Sequence, residues 1–85
     1  MTPDEQVRAA EAIVEAIRPL LAGHPPEVQG AVLADLLAMF LAGHHPTLRD
    51  EILTLHVDAV RQLVKPNEAA IIERIGGKPE GWEPN

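Results

Sequence analysis

At 85 residues the chain is one domain near the lower limit of what folds alone, where only about 60 to 65% of the unfolded surface is buried on folding. It has no cysteine, which excludes disulfides and thiolate metal sites and leaves helix packing, with a second subunit as the available reinforcement, to supply stability. The net charge of −6 is spread without a basic cluster, which excludes nucleic acid as a partner, and the longest apolar stretch, 31–42, is interrupted by Asp35 and falls short of the roughly 20 residues of a membrane span.

The first helix is expected over about 3–22. Thr2 is placed to cap it, Pro3 suits the first helical position and Glu5 would close a capping box. No signal peptide is expected at this acidic start, and the cytoplasm is the default compartment. At about 100° per residue, Val7, Ala10, Ile13, Val14, Ile17, Leu20 and Leu21 fall on one half of the wheel, and Asp4, Arg8, Glu11, Glu15 and Arg18 on the other. Pro19 lies on the polar half, so the helix is expected either to bend near Glu15 or to end before Pro19; Gly23 offers the left-handed stop.

The second helix, about 26–42, opens at Pro25-Pro26-Glu27 and stops at Gly43 and Pro46. Val28, Val32, Leu33, Leu36, Leu37, Met39, Phe40 and Leu41 cover more than half its circumference, which marks it as the buried centre of the domain. The other side carries Gly30, Ala34, Ala38 and Ala42, spaced by four. The simpler reading is a thinly covered or solvent-facing side. The sharper one is a smooth ridge against which another helix, from a second subunit, could pack closely.

A third helix, about 48–64, is expected to start at Thr47 as cap and to end at Lys65-Pro66. Its apolar arc of roughly 200° includes Ile52, Leu53, Leu55, Val60 and Leu63, with Asp50, Thr54, Asp58 and Arg61 opposite. Asn67 would cap a short fourth helix, 68–75, closed by Gly76-Gly77. Residues 76–85 read as a Gly- and Pro-rich tail in which Trp82, the single tryptophan, is expected to be loose rather than an anchor. The expected fold is therefore all-α, with an up-down-up three-helix bundle and short fourth helix forming the domain over 1–75. The outer helices carry more apolar surface than one central helix can cover, which favours a homodimer.

Leu21-Ala22-Gly23-His24-Pro25 is echoed by Leu41-Ala42-Gly43-His44-His45-Pro46. Gly, His and Pro are each favoured at a helix end, which explains the echo more simply than a duplicated hairpin. His24 and His44 flank the second helix, roughly 25 to 30 Å apart, and cannot share a site in one subunit. An antiparallel bundle would bring His44 and His45 near Asp4 or Glu5 as nitrogen and oxygen ligands, but no metal-ligand spacing supports this and no cofactor is expected. His56 stands within the apolar arc of the third helix, which marks it as a core or interface histidine or as a pH-sensitive or ligand contact.

The chain has no serine, cysteine or tyrosine and no phosphate-cradling glycine loop, so catalysis finds little support. The expectation is a non-enzymatic protein-interaction or regulatory module acting as a homodimer, with another protein as a further partner. Gly30, Ala34, Ala38, Ala42, Leu55, His56 and Leu63 are its candidate interface residues. The alternative is a small-molecule or metal sensor that gathers His44, His45 and His56 at or near the dimer interface.

Overall fold

The computed structural model describes residues 1–82, which form three α-helices and no strand: α1 over Pro3–Leu21, α2 over Pro26–Ala42 and α3 over Arg49–Ile75, with a 3-10 turn at Pro46–Leu48 before α3. The chain divides into two compact units, Met1–Met39 and Phe40–Asn85.

In the first unit α1 begins as the sequence implies. The Thr2 hydroxyl accepts the Glu5 backbone N–H at 3.2 Å, and the Glu5 carboxylate accepts the Thr2 N–H at 3.4 Å and its hydroxyl at 2.9 Å. Two donors otherwise left unpaired at the helix start are thereby satisfied. The helix does not stop before Pro19 but runs on to Leu21, and the Ala22 N–H closes it on the Arg18 carbonyl. Gly23 follows at φ +83°, a left-handed conformation that costs a side-chain-bearing residue about 1 to 2 kcal/mol. The Gln29 side chain then donates to the His24 carbonyl at 2.8 Å across the start of α2.

No described residue is buried, and Val28, Leu33, Leu36, Met39 and Phe40 of α2 are exposed.

Contrary to expectation, the third helix does not end at Lys65-Pro66, and among the described residues no separate fourth helix follows; α3 continues through Pro66 to Ile75. Proline has no N–H, so the Gln62 carbonyl loses its helical donor. Asn67, expected as a cap, instead donates its side-chain amide to the Leu63 carbonyl at 2.8 Å, and Lys65 pairs with Glu68 at 3.5 Å across the proline. Both contacts tie the turn before Pro66 to the turn after it. The start differs as well. Thr47 is not the helix cap; it sits in the 3-10 turn, where its N–H donates to Nδ1 of His45 at 3.2 Å. Gly76, at φ +89°, ends α3 as expected, and both Gly76 and Gly77 donate N–H groups to the Ile72 carbonyl.

Trp82 lies against α3: with Val64, Asn67, Glu68 and Ile71 it lines a groove of about 310 Å³ while remaining half exposed. The last three positions of the expected tail, 83–85, lie outside the described residues. Among the described residues no helix is long and apolar enough to cross a membrane.

Candidate functional site

The densest set of polar side-chain contacts lies in the Phe40–Asn85 unit, where the end of α2, the 3-10 turn and the start of α3 meet. A helix C-terminus leaves carbonyls without intrahelical donors and concentrates partial negative charge there. At α2 this end is held by Arg49, the first residue of α3. Its Nε donates to the Leu41 carbonyl at 3.1 Å and the His44 carbonyl at 3.0 Å, and its Nη2 donates to the Ala42 carbonyl at 3.0 Å. The planar guanidinium suits this task because it presents several N–H groups at fixed angles from one head. Gly43, unlike Gly23, has no positive φ, so the echoed sequences at the ends of α1 and α2 are finished differently.

Phe40, in the last turn of α2, meets two imidazoles. The His44 ring stands edge-on to it at a centroid distance of 4.7 Å, and the His56 ring is tilted against it at 5.0 Å. His44 lies two residues beyond the end of α2, four positions after Phe40. His56 reaches the same ring from α3, with its side chain half buried.

Both histidines are anchored alike. Nδ1 of His44 donates to the Phe40 carbonyl at 2.8 Å and Nδ1 of His56 to the Ile52 carbonyl at 2.9 Å. A carbonyl only accepts, so in each ring the proton sits on Nδ1, and the neutral form keeps an acceptor lone pair on Nε2. His45 has the opposite arrangement. Its Nδ1 accepts the Thr47 N–H and, at 2.8 Å, the Thr47 hydroxyl, so its neutral form carries the ring proton on Nε2.

The structure thus brings His44 and His56 to one aromatic ring and turns His45 to Thr47. Asp4 and Glu5 belong to the other unit, where the Glu5 carboxylate is committed to Thr2. Among the described residues no group of three or more histidine, aspartate or glutamate side chains is placed to hold a metal ion. Gly30, Ala34, Ala38 and Ala42 are all exposed, and a Cβ added at Gly30 would meet nothing within 4 Å. Leu55 and Leu63 of α3 are likewise exposed. Asp35, exposed on the alanine side of α2, takes part in none of the ion pairs among the described residues.

His56 is conspicuous in the sequence by its place in an apolar arc, whereas its partner Phe40 and the capping role of Arg49 emerge only from the structure. The Phe40–His44 spacing was the available signal for the aromatic pair. Arg49, a charged residue in the same apolar arc as His56, was the signal for the cap.

Compared with protein-family models, with curated proteins and with solved structures, the chain matches none.

Proposed function

We propose that this chain is a non-enzymatic helical interaction module whose working unit is a homodimer of up-down-up helical subunits. The observation that carries the reading is α2. It is rich in leucine, valine, methionine and phenylalanine, yet has no buried residue in the single chain. Exposed apolar surface on this scale belongs to a site of association. Of the interface candidates on α3, Leu55 and Leu63 are likewise exposed while His56 is half buried, and the Arg49 cap fixes the α2 end from which α3 departs. The absence of serine, cysteine and tyrosine from the sequence leaves few nucleophiles for an enzymatic alternative.

Sedimentation or light scattering at several micromolar concentrations tests the reading. A mass of two chains is expected, and a strict monomer across the range would defeat it.

A second reading has one specific observation in its favour. His44 and His56 share the Phe40 ring, and each carries its proton on Nδ1, leaving Nε2 as an acceptor for a ligand or metal. A small-molecule or metal sensor would use this pair. Native mass spectrometry with and without chelator separates the two readings, because a retained metal or ligand mass belongs only to the second.

A further inference from the structure

The segment after α3 is built to turn back. The Gly76 and Gly77 N–H groups both donate to the Ile72 carbonyl at 3.0 Å, with Gly76 at φ +89° and Gly77 at φ +149°, a reversal that residues with side chains rarely make. A second turn follows at Pro79–Trp82. There the Trp82 N–H donates to the Pro79 carbonyl at 3.2 Å, and Gly81 takes φ +89°, as a type II turn requires of its third residue. Val64 stands roughly 16 Å before the end of α3, at 1.5 Å per residue. Only a chain running back along the helix brings Trp82 to the groove it shares with Val64, Asn67, Glu68 and Ile71.

These α3 residues straddle Pro66, the weak point of the helix. Among the described residues from 61 on, those half buried are Glu68, Ile72 and Pro79, which puts the shielding on α3 beyond the proline and on the segment that returns to it. The stretch 67–75 is shorter than the roughly 12 to 15 residues at which an isolated helix is even marginal in water. Its link to the preceding turn lacks the hydrogen bond that Pro66 cannot donate. What remains there is the Asn67 amide on the Leu63 carbonyl and the largely exposed Lys65–Glu68 pair.

We infer that residues 76–82 form a strap, fastened by Trp82, that holds 67–75 helical beyond Pro66, and that releasing the strap lets this last stretch of α3 unwind while 49–64 stays helical. Trp82, expected from the sequence to be loose, is then the anchor of a conformational device. Every residue in it belongs to the Phe40–Asn85 unit, so the inference stands apart from the dimer reading.

Trp82 is the single tryptophan and the chain has no tyrosine, so tryptophan fluorescence of the full chain reports on the strap alone. Emission should be shifted to the blue of the urea-unfolded chain at every protein concentration. Acrylamide quenching should be about half as strong as in urea, because roughly half of the Trp82 side chain is shielded. Gly81→Val opens the strap without touching the groove: a Cβ there meets nothing within 4 Å, so the substitution acts through the positive φ. It should lower the ratio of strapped to released chains by about five- to thirtyfold. Emission should move toward the unfolded value, and amide exchange at 70–75 should quicken by a similar factor while 53–62 keep their rates. Pro66→Ala added to Gly81→Val should restore most of the lost protection, because an unbroken backbone ladder no longer needs the strap.

Several outcomes would overturn the inference. Parent emission and quenching equal to those of the unfolded chain mean that no strap is closed. Emission that shifts with protein concentration assigns the cover of Trp82 to another copy. Emission unchanged by Gly81→Val means that the turn does not hold Trp82. A released Trp82 with unchanged exchange at 70–75 means that the strap does not hold the helix, and equal quickening at 53–62 means that the loss is not confined beyond Pro66. Protection that Pro66→Ala fails to restore removes the proline as the weak point.

Discussion

Arg49 is the residue with the most to lose. Its side chain serves three carbonyls at the α2 C-terminus, and no other described side chain donates to them. Arg49→Ala is expected to destabilise the protein by about 1 to 2 kcal/mol, the lower part of the range for charged hydrogen bonds because the site is only half buried. Arg49→Lys should recover less than half of that loss, since an ammonium carries charge but not the fork that spans three acceptors. Urea unfolding of the two variants beside the parent checks both, and full rescue by lysine would reduce the role to charge at a helix end. His56 should behave differently. Its imidazole donates to the Ile52 carbonyl, which already accepts the helical N–H one turn on, so removing the ring leaves no acceptor unpaired. His56→Leu is therefore expected to hold or raise Tm, and a marked fall would show that contact with Phe40 or with a partner needs the imidazole. His56 was conspicuous in the sequence because position alone flagged it. The role of Arg49 was not, because a cap supplied from the next helix depends on the turn between them, and a helical wheel does not describe that turn.

Helix ends governed by local chemistry were legible element by element. Thr2, Pro3 and Glu5 start α1, and Gly76 ends α3 in the left-handed conformation, each by contacts within a few residues. The prolines were harder, since their local cost favours a break while neighbouring contacts decide whether one occurs. Pro19 and Pro66 both lie inside helices. At Pro66 the Asn67 amide and the Lys65–Glu68 pair bridge the turn that lacks a backbone bond, although the exposed part of that pair contributes little. Pro66→Ala restores a donor to the Gln62 carbonyl and removes the ring clash, against the chain entropy that proline withholds from the unfolded state. The expected result is a net gain of about 1 to 2 kcal/mol, seen as a higher Tm without change in helix content. A lower Tm would mean that the proline shapes α3 for a contact the substitution spoils.

For the whole molecule, the all-α class followed from periodicity, whereas a wheel identifies which side of α2 is apolar without saying what covers it. Charge offers an independent handle on that question. Each chain carries a net charge of −6, with a pI near 5.0, so in the proposed dimer two copies would repel at neutral pH while the apolar side of α2 would draw them together. Added salt shortens the screening length from about 30 Å at 0.01 M to about 10 Å at 0.1 M and weakens that repulsion. Association should therefore tighten by severalfold over this range, measured as the concentration at half-dissociation by sedimentation in sodium chloride. The ion pairs among the described residues all join residues three apart on one helix, so none of them bridges chains in a way that salt would weaken. Looser association at higher salt would instead mean that opposite charges across the interface hold the dimer, and α2 would no longer account for it.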